Sequence, residues 1–202
     1  MAVKTILFNL LPLLAQTFAT PSANTPLKPW EISTLSTFTP SGRAGNAPYS
    51  SLFLTITDPN TISFGTTRYG DATFPPSTTN CTIRWNAYTE EPYGWIIPCT
   101  TEYLNQGRWT IEIQKYNTTE YGPSPTRDFR LRFVLEESML LTDGILSKTF
   151  VGERAFALGD DLAIVCGGSG VCNTWLKDER RPASVQQELL RTDCVMGSCQ
   201  AP

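Results

Sequence analysis

From Trp30 onward, apolar and polar residues alternate in short runs separated by turn-forming residues. Ser51–Thr57 places Leu52, Leu54 and Ile56 on one face and stops at Asp58-Pro59-Asn60. Arg108–Lys115 turns Trp109, Ile111 and Ile113 inward and Arg108, Thr110, Glu112 and Gln114 outward. Asp128–Leu135 repeats the pattern with Phe129, Leu131, Phe133 and Leu135 against Arg130 and Arg132. A period of two with one polar face predicts antiparallel strands covering a core. Weaker strand patterns occupy Trp30–Phe38, Ile62–Thr67, Thr82–Trp85, Gly94–Ile97, Leu146–Gly152 and Leu162–Cys166. The expected fold is all-β, an antiparallel barrel or sandwich of about eight or more strands, with residues 30–172 as its domain. No repeat is visible at a fixed period.

The two ends of the chain break the pattern. Residues 20–29, rich in Pro, Ser, Thr and Asn, read as a disordered lead. Residues 173–202 read as a C-terminal extension. Within it, Ser184-Val185-Gln186-Gln187 forms a capping box that predicts a short helix over Val185–Arg191. Arg180-Arg181 resembles a dibasic processing site, but the rigid ring of Pro182 follows directly, which favours a solvated linker. Residues 1–19 combine a short basic start, an apolar stretch over Thr5–Leu14 and the small-residue site Thr17-Phe18-Ala19. Those are the parts of a secretory signal peptide, too short for a membrane span.

Export changes how the cysteines are read. All six, Cys81, Cys99, Cys166, Cys172, Cys194 and Cys199, lie beyond the leader, and an even count there predicts three disulfides. Fifteen pairings are possible for six cysteines. Cys81–Cys99 is favoured because each sits in a strand-like stretch at hairpin separation, with Cys166–Cys172 and Cys194–Cys199 as the local choices. Zinc is disfavoured by the loose spacings and by the absence of histidine. Export also makes Asn80-Cys81-Thr82 and Asn117-Thr118-Thr119 glycosylation sequons at Asn80 and Asn117. Disulfide closure at Cys81 competes with glycan transfer to Asn80. A net charge of −3 without basic clusters argues against nucleic acid or anionic membrane as partner.

Without histidine, Ser-His-Asp and Cys-His catalysis and the usual His-containing metal sites are excluded. Gly167-Gly168-Ser169-Gly170 lacks the last glycine of a nucleophile elbow and the Lys-Ser/Thr of a phosphate loop, so a tight turn is expected there. Glu90-Glu91, Glu136-Glu137 and Asp160-Asp161 are adjacent carboxylates. A glycosidase needs two facing each other across roughly 5–10 Å, whereas neighbours in a strand point to opposite faces. Glu112 on an outward face would serve such a pair only by meeting another carboxylate across the sheet; Arg130 and Arg132, on a similar outward face, are expected to pair with such acids instead. No catalytic constellation, metal or cofactor is expected. Among Trp30, Trp85, Trp95, Trp109 and Trp175, Trp109 reads as core. Tyr88, Tyr93 and Trp95, inside the Cys81–Cys99 interval, read as pre-organised binding residues.

The order of these features carries a resemblance. Trp30-x-Ile32-Ser33, a Ser/Thr/Pro/Gly-rich gap, Tyr49-Ser50-Ser51-Leu52-Phe53-Leu54-Thr55-Ile56, Asp58-Pro59 and Cys81…Trp85…Cys99 together resemble the small secreted fungal proteins of the Alternaria major-allergen type. The resemblance spans about Trp30 to Cys172. It implies a compact antiparallel β-barrel without a known catalytic centre, acting as an effector or elicitor. Implied partners are host thaumatin-like extracellular proteins or flavonoid-like small apolar ligands. It also implies Cys81–Cys99 as the family's first disulfide and Cys166–Cys172 as its second. The family's covalent dimer uses a cysteine near the N-terminus, and no cysteine precedes Cys81 here, leaving a monomer or a non-covalent dimer. The alternative functions are a small-molecule binding barrel and a carbohydrate-active or cell-wall protein.

Overall fold

The computed structural model describes residues 26–100, 107–116, 122–197 and Cys199. The expected leader and the Asn117 sequon lie outside the described residues. The strands in chain order are β1 (Trp30–Thr39), β2 (Tyr49–Asp58), β3 (Ile62–Thr67), β4 (Gly70–Phe74), β5 (Ser77–Asn86), β6 (Ile97–Pro98) and β7 (Arg108–Lys115). They continue as β8 (Asp128–Leu141), β9 (Gly144–Ala157), β10 (Leu162–Cys166), β11 (Cys172–Leu176), β12 (Ala183–Val185) and β13 (Gln187–Gly197).

These strands form two main sheets. One runs β10-β11-β1-β2-β5, with β12 continuing alongside β1 next to β11; the other runs β13-β9-β8-β7-β6. All their strand pairings are antiparallel. Both sheets have open edges, so of the two architectures expected, the sandwich is the one formed and a closed barrel is not. A separate hairpin, β3-β4, lies against β8.

Alternation explains the assembly. Leu52, Leu54 and Ile56 from β2 and Cys81, Ile83 and Trp85 from β5 face Trp109, Ile111 and Ile113 from β7 and Phe129, Leu131, Phe133 and Leu135 from β8. At the centre the indoles of Trp30 and Trp109 meet edge to face, 4.7 Å between ring centres. Trp30 presses on Gly152 of β9, where an added Cβ would lie 3.0 Å from the indole and 2.6 Å from the Gln186 carbonyl. Burying one such aromatic side chain contributes about 2–3 kcal/mol.

The predicted C-terminal helix is not formed. Ala183–Val185 pairs with Trp30–Ile32 of β1, and Gln187–Gly197 pairs with β9. The capping residue Ser184 instead lends its carbonyl to Arg154 at 2.7 Å. Pairing with two waiting strand edges outweighs a local helical preference that amounts to tenths of a kcal/mol per residue. The only helical turn among the described residues is a three-residue 3-10 turn at Asp178–Arg180. Arg181 follows it and donates to the Leu176 carbonyl at 2.9 and 3.1 Å. Gly94–Ile97 is also not a strand: only Ile97 and Pro98 pair, with Ile111 and Thr110.

The disulfides are Cys81–Cys99, Cys166–Cys172 and Cys194–Cys199. The first ties β5 to the segment just after β6. The second closes the hairpin between β10 and β11, whose turn is the Gly167–Gly170 stretch with Gly170 at φ +89°. No described helix is long and apolar enough to cross a membrane.

Candidate interaction surfaces and the buried acid cluster

The inward phase of β2 and β8 ends in carboxylates rather than hydrocarbon. Continuing Leu52, Leu54, Ile56 by one more step gives Asp58; continuing Phe129 to Leu135 gives Glu137. Each of the two is only 1% exposed. Glu137 pairs across the ladder with Lys148 of β9. The β3-β4 hairpin supplies cover: the Lys148 ammonium donates to the Ser63 carbonyl at 2.6 Å and stands over the Phe64 ring.

Asp58 is held by its surroundings. Its Oδ1 accepts from the Asn60 backbone N–H at 2.9 Å, from Asn60 Nδ2 at 2.5 Å and from Gln187 Nε2 at 3.4 Å. The opposite oxygen, Asp58 Oδ2, and Glu137 Oε2 are buried with no hydrogen-bond partner among the described residues. Burial, with the Asp58 charge adding to it and Lys148 opposing, pushes the Glu137 carboxyl up to about 8. Burial lowers the Lys148 ammonium, while Glu137 works in the other direction. Glu137 is therefore mostly protonated at neutral pH. Both carboxylates are enclosed away from solvent.

The sequence marks Glu136-Glu137 as adjacent carboxylates that point to opposite faces if in a strand, and Asp58 as part of a turn. The strand separates the two glutamates: Glu136 faces outward to Arg108, Nη2–Oε2 2.5 Å, while Glu137 turns in. The signal that would have found the cluster was the phase of the alternation, carried two residues further. Glu112 meets Arg132 at 3.7 Å, and Glu153 bridges Arg130 and Arg132 at 3.5 and 3.4 Å. Asp160 pairs with Arg180 at 2.6 Å and Asp161 with Arg154 at 2.8 Å. Among the described residues no group of three or more acidic or cysteine side chains is placed to hold a metal ion.

The three aromatics expected to bind do not form one surface. Tyr88 is exposed, whereas Tyr93 and Trp95 are half-buried and pack against the core. Tyr93 sits in a shallow groove of about 250 Å³ lined by Trp85, Pro92, Lys115, Pro123 and Pro125, with the Lys115 ammonium 5.1 Å from its ring centre. Burial first, then Glu91 and Asp128, pushes its hydroxyl up to about 12, so it remains a donor.

A different set of aromatics shares the outward face of the six-stranded sheet. Register places Trp175, Ser36, Phe53 and Thr82 in one row across β11, β1, β2 and β5, and Asn173, Phe38, Ser51 and Arg84 in the next. Phe53 and Tyr49 are exposed, and the Arg84 guanidinium lies 4.1 Å from the Tyr49 ring centre. Beside them runs a hydroxyl ladder: Thr34 donates to Thr55 at 2.9 Å, and Thr55 to Asn80 Oδ1 at 2.8 Å. Asn80 is exposed on this same face, while its neighbour Cys81 points into the core. Sequence alternation could have found Phe53 and Tyr49, since both occupy the outward phase of β2. Comparison of the chain with protein-family models, curated proteins and solved structures yields no match in any of the three.

Proposed function

We propose that the chain is an exported, non-catalytic binding protein of the effector or elicitor type, which engages a host extracellular protein through the outward face of its six-stranded sheet. The observation that carries this reading is the group of aromatics in two adjacent rows on that face. Phe38, Phe53 and Trp175, with Tyr49 beside them, stand on the solvent side of a sheet whose other side is already filled by core. Aromatic anchors on a rigid sheet, rimmed by Arg84, Thr82 and Asn173, have the composition of a protein-binding hot spot. Three disulfides suit an oxidising, protein-rich medium. The resemblance to the Alternaria major-allergen type supports the same reading.

The test is direct binding to secreted host proteins, thaumatin-like proteins first, measured with the native chain and with Phe53→Ser/Tyr49→Ser. Binding by the native chain that the double variant weakens at least about tenfold is expected. Equal binding by both, or none by either across plausible hosts, overturns the reading. A small apolar ligand is the second reading, favoured by the groove beside Trp85 and Tyr93. At about 250 Å³ it lies below the usual range for drug-sized ligands. Tryptophan emission unchanged by flavonoid-like compounds removes it.

A further inference from the structure

The two edges of the five-stranded sheet are built differently. At one edge β6 is two residues long and ends in Pro98, a short strand of the kind that blocks further pairing. At the other, β13 runs for eleven residues, is paired among the described residues with β9 on one side only, and contains neither proline nor lysine. All but Gln187 are exposed. Leu189, Leu190, Val195 and Met196 are 48, 54, 60 and 63% exposed. Four large apolar side chains along one free edge are a pairing template, not a finished surface.

Two β-bulges, between Leu189 and Arg191 and between Cys194 and Met196, leave the regular stretch Arg191–Cys194 between them. Charges commonly guard an edge by repelling a second strand. Here they do the opposite. Arg191 Nε and Asp193 Oδ2 are 2.9 Å apart, so the two side chains share one face with Thr192 between them in sequence. Let β13 meet its own copy antiparallel, with a two-fold axis through Thr192. Arg191 of each copy then comes opposite Asp193 of the other, and the Leu189-Leu190 end of each lies along the Val195-Met196 end of the other. The strand is complementary to itself in charge and in hydrophobicity, which is what an isologous interface requires.

We propose that β13 is a self-association edge, through which two copies of this chain join their five-stranded sheets into one ten-stranded sheet. The contact is independent of the outward face of the other sheet. One strand pair buries less than a standard interface, so the dimer forms in a concentration-dependent way.

Sedimentation velocity of the disulfide-intact protein from about 1 to 300 μM tests this. A monomer–dimer equilibrium is expected. Arg191→Asp should weaken it at least about tenfold, and Arg191→Asp/Asp193→Arg should restore it to within about threefold. Circular dichroism checks that each variant folds. A second variant, Thr192→Cys, replaces an exposed side chain and reads the geometry directly. Residues facing each other across the two-fold axis lie about 4.5–5.5 Å apart at Cα, within disulfide range. The new thiol should link two copies under mild oxidation, and the control Glu188→Cys should not. A chain that stays monomeric throughout, a charge swap that restores nothing, or cross-linking no greater for Thr192→Cys than for the control overturns the proposal.

Discussion

Midway between the sheets, Trp30, Trp109 and Phe133 interlock as hydrocarbon; a few residues along the same inward phase, Asp58 and Glu137 are just as deeply buried. The two regions share β8 and lie on the inward phase of the same pleat. They differ in what the enclosed side chains want. The aromatic centre is held by ring contact, with the indole N–H groups of Trp30 and Trp109 buried without a hydrogen-bond partner among the described residues, and it carries no group that titrates. The acid end is satisfied only while Glu137 keeps its proton.

The largest way to break this comparison is at the aromatic centre. Trp109→Ala should cost about 3–5 kcal/mol in urea denaturation, by the same amount at pH 5 and pH 8. A loss that changes strongly with pH would show that the two regions are not separable. Glu137→Gln probes the other end. With its carboxyl raised to about 8 from an ordinary 4.5, the folded state holds a proton that the unfolded chain releases. That contribution is full below about 4.5, declines as pH rises, and is gone above about 8, a swing of roughly 3–5 kcal/mol. Glu137→Gln, neutral at every pH, should flatten the slope and be the more stable protein at pH 8.5. Retention of the full slope would place its origin elsewhere.

Lys148→Met sharpens the pairing within the acid end. Removing the cation that opposes the shift should move the Glu137 transition to higher pH. It should also cost about 1–2 kcal/mol through the lost hydrogen bond to Ser63. A transition moving to lower pH would contradict the assigned cause. The smallest effect is expected at the surface. Lys115 and Glu91 approach to 2.9 Å but are 58 and 73% exposed, so Glu91→Gln should change stability by less than about 0.5 kcal/mol.

How much of this was legible in the sequence depended on whether a strand had an inside and an outside. β7 occupies Arg108–Lys115, the span read from alternation, because one face of that run was apolar, and β10 occupies Leu162–Cys166, where a short run of apolar residues marked a weaker strand pattern. β13 carries no such record. It is exposed on both faces, so its residues show no period of two, and Gln, Glu, Leu and Arg in succession read as helix. Only the free edge of β9, which no local rule reports, turns that segment into a strand. The acid cluster was hidden for a related reason. Asp58 and Glu137 keep the phase of their strands while abandoning the polarity that marks it. The outward aromatics of the six-stranded sheet were less legible than the loop residues Tyr93 and Trp95, because Phe53 reads as one more member of an apolar strand.

Gly152 carries a consequence that reaches beyond this chain. It is the socket into which the Trp30 indole fits, with the Gln186 carbonyl and Val185 closing the rim. Three stretches distant in sequence thus constrain one another sterically: any side chain at 152 evicts either the indole or the strand beside it. Such a joint should drift very slowly as lineages diverge. Tryptophan opening the first strand, glycine on the second sheet, and the Val185-Gln186 step from β12 to β13 beside them form a three-part signature. It is one by which kinship could be traced after overall similarity has faded.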